Sequence, residues 1–110
     1  MEKISDKYSG DAEALIKKGD YIQASEKLWG AASQAVKAVA AKRNLEPRSH
    51  GDLNNFVANI RREAKEPEIR RLWQIAISLH QNFYEAWLPE ETVKESVEDI
   101  KRFKQKLKSL

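Results

Sequence analysis

Apolar residues recur along this chain at three- and four-residue intervals, and the runs break at Gly19-Asp20, Asn44 to Gly51, Glu66-Pro67 and Leu88-Pro89. That period predicts five helices. The first spans about residues 2–18, where Ile4, Tyr8 and Leu15 share a face that Gly10 interrupts. Gly19 suits the residue just past a helix, and Asp20 with Gln23 forms a capping signature for the next one. So short a joint makes helices one and two near-antiparallel neighbours. The second helix, Tyr21 to Arg43, places Tyr21, Ala24, Leu28, Ala31, Ala32, Ala35 and Val39 on one face. Six positions between 31 and 41 are alanine. Such a stripe lets another helix approach closely, so this helix is expected to be central.

The third helix starts after Pro47, with Ser49 and Asp52 as a capping box and Leu53, Phe56, Val57 and Ile60 as its stripe. Pro67 stands where a first-turn proline belongs and opens the fourth. That helix carries Ile69, Leu72, Trp73, Ile75, Ala76, Leu79, Phe83, Tyr84 and Trp87. Its apolar arc spans about 200°, roughly twice a one-sided stripe. A helix so covered touches more than one neighbour, and part of the arc is expected to meet a second subunit in a homodimer. The fifth helix, Pro89 to Leu110, shows a narrow face of Val93, Val97, Ile100, Phe103 and Leu107. The expected fold is all-α: a single up-and-down bundle of four to five helices, with residues 1–110 forming one domain.

Composition sharpens this only at the edges. The absence of cysteine removes disulfides and thiolate metal sites from consideration. No apolar run follows Met1-Glu2-Lys3-Ile4-Ser5-Asp6, so neither a secretory signal nor a membrane span is expected, and the reading is cytoplasmic. A net charge of +3 is mildly basic, short of a dedicated nucleic-acid binder. Between residues 44 and 66, Arg48, Arg61, Arg62 and Lys65 are matched in number by Glu46, Asp52, Glu63 and Glu66. The one dense basic run is Lys101, Arg102, Lys104, Lys106 and Lys108. It reads as a solvated last turn complementing the helix dipole, with a phosphate-binding tail as the alternative.

Three stretches carry a resemblance. Gly19-Asp20-Tyr21-Ile22-Gln23-Ala24-Ser25-Glu26-Lys27-Leu28-Trp29 resembles the second-helix signature of the archaeal PaREP family. Leu79-His80-Gln81-Asn82-Phe83-Tyr84-Glu85-Ala86-Trp87-Leu88 looks like its late signature, and Ser49-His50-Gly51-Asp52-Leu53 like the start of its third helix. The likeness runs from about residue 11 onward. That family is similar in fold to HEPN domains, helical bundles that commonly dimerise. Their relatives include ribonuclease toxins, nucleotide-binding modules and partners of nucleotidyltransferases. The resemblance therefore implies a HEPN-like bundle. HEPN ribonucleases carry an arginine, four to six residues, then a histidine on a late helix. Here Trp73, Gln74 and Ile75 occupy the positions before His80 where that arginine belongs.

The candidate site residues follow from position. His80 lies in the middle of the fourth helix's apolar arc beside Tyr84, and both are expected to be buried polar groups with a possible site role. Arg48, Ser49 and His50 surround the third helix's N-terminus, where free backbone N–H groups and a guanidinium fork can hold a phosphate. Arg61 and Arg62, three turns on, can meet the next phosphate of a polynucleotide. Trp29, Trp73 and Trp87 are assigned to core or interface. With the two histidines far apart in sequence, no metal, cofactor or catalytic set is expected. The reading is a non-enzymatic, HEPN-like homodimeric binding module. Its ligand is a nucleotide, RNA or a protein partner such as a nucleotidyltransferase. A divergent HEPN-type RNase toxin and an antitoxin-like interaction partner are the alternatives.

Overall fold

Three of the helices begin where the chain supplies a side-chain cap. A computed structural model of the chain describes residues 1–110 and contains α1 (Glu2–Lys17), α2 (Tyr21–Lys42), α3 (His50–Ala64), α4 (Pro67–Glu85) and α5 (Glu90–Lys108), with no strand. The bundle therefore has five helices rather than four. Asp20 Oδ1 accepts from the Gln23 N–H at 3.1 Å, opening α2. Gly19, at φ 80°, takes the left-handed turn that ends α1. At α3 both halves of the capping box form: Ser49 Oγ accepts from the Asp52 N–H at 3.0 Å, and Asp52 Oδ2 accepts from the Ser49 N–H at 3.3 Å. Pro67 begins α4 behind Glu66, whose carboxylate accepts from the Glu68 N–H.

Gly10 interrupts the apolar face of α1 but not the helix, which runs through it as expected. It faces open space, and one exposed helical glycine costs only about 1 kcal/mol. Packing outweighs that cost. Ser5 is buried and its hydroxyl donates to the Ala31 carbonyl at 2.7 Å, fixing α1 against α2. Gly30 allows the close approach expected of α2, since a Cβ there would stand 2.8 Å from the Tyr8 ring. Ile4, expected on the inner face, is instead exposed.

α2 packs against all four other helices. Its burial is accordingly not confined to the single face read from the sequence: Ser25, Trp29, Ser33, Val36, Ala38 and Ala40 are buried as well. One core cluster of 22 buried residues draws on every helix. Asn82 is fully buried and organises the α4–α5 turn. Its Nδ2 donates to Ser25 Oγ at 2.9 Å, while its Oδ1 accepts from the Trp87 and Leu88 N–H groups at 2.9 and 2.7 Å.

The basic run on α5 is neither a free tail nor a merely solvated turn. Lys101 reaches Glu13 at 3.0 Å, Arg102 reaches Glu68 at 2.9 Å, Lys104 reaches Asp6 at 2.8 Å and Lys106 reaches Glu66 at 3.3 Å. These contacts tie α5 to α1 and to the start of α4. No helix is long and apolar enough to cross a membrane.

Candidate ligand-binding strip between α3 and α4

Only Lys65 and Glu66 separate α3 from α4, so the pair folds back as an antiparallel hairpin. On α3, His50, Asn54, Ala58 and Arg61 recur at helical spacing and share a face; on α4, Arg70, Trp73, Ile77, His80 and Tyr84 do the same. The fold-back matches these faces end to end. The His50 and His80 rings lie with centroids 5.1 Å apart. In the middle, the Trp73 indole N–H donates to Asn54 Oδ1 at 2.8 Å. Near the turn, Arg61, Arg62 and Arg70 line one groove of about 200 Å³ whose wall includes Trp73. From His50 to Arg61 the strip runs about 16 Å, at 1.5 Å of rise per residue.

The arginine end carries free positive charge. The ion-paired arginines of the molecule are Arg43, Arg48 and Arg102; Arg61, Arg62 and Arg70 have no carboxylate partner. Arg62 donates to the neutral amide oxygen of Asn59. The Arg61 Nε is buried without any hydrogen-bond partner. The carboxylates that match the cations of residues 44–66 in number are committed elsewhere. Glu63 turns to Arg43 at 2.8 Å, Asp52 caps α3, and Glu66 is divided between the Glu68 N–H and Lys106. Charges that cancel by count along residues 44–66 therefore do not cancel in space.

The other end is built of rings. Trp29, from α2, forms its floor and stacks on His80 with centroids 4.8 Å apart and planes 23° from parallel. His50 meets Trp29 edge-on at 5.5 Å, and Tyr84 meets His80 edge-on at 5.4 Å. His80 Nδ1 lies 2.8 Å from Glu26 Oε1. A carboxylate only accepts, so Nδ1 is the donor in this contact.

Several expectations need correcting at this point. His80 is half-buried rather than enclosed, and its partner is a carboxylate on α2. Tyr84 is not buried: it is 70% exposed, because it stands on the outer edge of the α4 arc. Of the three tryptophans assigned to core or interface, Trp29 and Trp73 are core residues and Trp87, 59% exposed, is not. The two histidines, distant in sequence, are neighbours in space. Arg48 and Ser49 lie apart from Arg61 and Arg62, at the opposite end of α3, and only His50 of that trio joins the strip. The Asp52 carboxylate stands beside the mouth of α3. Asp52 accepts from the Arg48 and Ser49 N–H groups, which hold its carboxyl below the usual carboxylate range. The Arg48 guanidinium reaches Glu46 at 3.4 Å.

Sequence reasoning missed Glu26 and Arg70 as members of the strip. The signal for Arg70 was present: it and Arg61 stand about one turn either side of the Lys65-Glu66 joint, just as His50 and His80 each stand about four turns from it. No comparable signal marked Glu26, because its contact with His80 depends on how α2 is rotated against α4.

The sequence profile described as the archaeal PaREP1/PaREP8 family matches residues 2–104. Among solved structures, the fold is similar to that of a Sulfolobus solfataricus protein known from a crystal structure, with 28% identity and a TM-score of 0.84 over 96% of this chain and 94% of that one. No curated protein sequence matches.

Proposed function

As the chain belongs to the archaeal PaREP1/PaREP8 family, we propose that it is a non-enzymatic, HEPN-like binding module, working as a homodimer, that takes a single-stranded RNA along the α3–α4 strip. The observation that carries this reading is the set of three arginines, Arg61, Arg62 and Arg70, that share one groove and have no carboxylate partner. A guanidinium left unpaired at a groove beside an indole is suited to a phosphate, which it can grip bidentately. The rings at the far end, with His50 and Tyr84 exposed beside His80, supply edges and faces for a base. Free phosphate donors at one end and rings about 16 Å away favour an extended polynucleotide over a mononucleotide.

Fluorescence anisotropy with a labelled single-stranded RNA of about ten nucleotides, against a labelled mononucleotide, tests this at low salt. The RNA is expected to bind more tightly, and its affinity to fall steeply as salt rises, with a slope near 0.7 per phosphate contacted. Absence of RNA binding at low salt would remove the reading. The exposed Tyr84 and Trp87 would then favour a protein partner, the antitoxin-like or nucleotidyltransferase-partner reading. Slow shortening of the RNA during the assay would instead favour a HEPN-type RNase, with the Glu26–His80 pair and His50 as its acid–base groups.

A further inference from the structure

The wide arc of α4 has a third side. The core and α3 cover two parts of it, and the remaining edge opens on a groove of about 540 Å³ between α4 and α5. Leu79 lies beneath this groove, with the half-buried Ile75 and Leu88 at its surface. Arg71 stands on the α4 wall, and Glu95 and Asp99 on the α5 wall. None of these three charges is paired within the protomer, although the neighbouring Arg102, Lys101 and Lys104 all are. A cation on one wall and carboxylates on the other make a surface that is complementary to itself under a two-fold rotation. The rotation brings Arg71 of each copy to Glu95 and Asp99 of the other, so two equivalent sets of contacts form.

The position of this groove also fits the strip. Arg71 precedes His80 by nine residues, which is about 180° around a helix of 100° per residue. A partner seated on the α4–α5 groove therefore leaves the α3–α4 strip facing outward.

We propose that the α4–α5 groove seats a second copy of this chain in a two-fold homodimer, with Arg71 of one protomer paired to Glu95 and Asp99 of the other and Ile75 and Leu88 covered between them. The proposal rests on the dimeric half of the reading above and not on the RNA half. It is tested with the full chain and two charge-reversed variants, Arg71→Glu and Glu95→Arg/Asp99→Arg. Light scattering coupled to gel filtration reads mass, and circular-dichroism melting verifies that each variant is folded. The wild type is expected at twice the 12.7 kDa chain mass. Each variant alone places like charges opposite one another twice over, and its dimer is expected to weaken by about a hundredfold or more, giving a monomer. Mixed in equal amounts, the two variants restore opposite charges at both contacts and are expected to return to the dimer mass. A wild-type dimer whose variants remain dimeric overturns this surface while leaving dimerisation standing. Folded monomeric variants that fail to combine overturn the pairing. A wild-type monomer at tens of micromolar overturns the surface together with the dimeric reading.

Discussion

The C-terminal face of α5 and the α3–α4 strip are both basic in sequence, yet they end up with opposite electrostatics. On α5, Lys101, Arg102, Lys104 and Lys106 each find a carboxylate from α1 or from the start of α4. In the strip, Arg61, Arg62 and Arg70 find none, although Glu63, Glu66 and Glu68 are their near neighbours in sequence. The acids that balance the strip on paper are spent on Arg43, on α5 and on helix caps. The denser charge is thereby used to fasten helices, and the sparser charge is left available to a ligand. Charge density along a chain is thus a poor guide to free charge in its fold; what decides is where each carboxylate is already committed.

The comparison can be broken most directly at the arginines. Replacing Arg61, Arg62 and Arg70 together by Gln is expected to weaken RNA binding by about a hundredfold or more near 50 mM salt, and to lower the salt slope by roughly two, at about 0.7 per lost phosphate contact. Anisotropy titrations at three salt concentrations measure both. An unchanged slope would return the phosphate contacts to α5.

The ring end gives the next largest effect. His80→Ala removes the stack on Trp29 and leaves Glu26 without its partner, so a destabilisation of about 1–3 kcal/mol is expected in denaturant melts. Equal stability with lost RNA binding would make His80 purely a ligand contact.

A matched pair of substitutions sharpens the contrast. Arg61→Met removes a buried Nε that has no partner, so stability is expected to rise by up to about 1 kcal/mol while RNA affinity falls. Lys104→Gln should do the reverse, costing up to about 1 kcal/mol and leaving RNA affinity unchanged, because Lys104 bonds Asp6 and Ser9 rather than a ligand. Thermal melts and anisotropy on both proteins decide it.

The smallest expected effect is in pH. Lys104, by hydrogen bond and by charge, holds the Asp6 carboxyl below its ordinary value. A depressed carboxyl contributes stability that is present above the unfolded aspartate value and is lost as pH falls through the folded one. Asp6→Asn is therefore expected to lower stability slightly near neutrality, where the contribution is present, and to flatten part of the acid limb below about pH 4, where the wild type loses it; denaturant melts across pH check both.

Most of the fold is legible in the sequence because helix ends are local. Asp20, Ser49 with Asp52, Pro67 and Gly19 act within three or four residues of themselves, so the order and limits of the helices follow from reading along the chain. Depth and rotation are not local. A wheel places Asn82 near the edge of the apolar arc but gives no hint that it is fully buried, serving Ser25 on α2 and two N–H groups of the following turn. The same holds for Tyr84, which shares the arc with His80 and yet points to solvent. Of the candidate site, His50, His80, Arg61 and Arg62 were each visible as chemistry-bearing residues. Their grouping was not, because it depends on the hairpin that sets α3 against α4 and on Trp29 arriving from α2 beneath them.

Chemical-shift mapping of the ¹⁵N-labelled protein during titration with a short single-stranded RNA bears most directly on the central claim. The account predicts that perturbations concentrate on the arginine side-chain N–H groups of Arg61, Arg62 and Arg70, on the Trp73 indole N–H held by Asn54, and on the amides around His50 and His80, while those of Lys101 to Lys108 stay still. Perturbations centred on α5, with the α3–α4 strip unmoved, would contradict it.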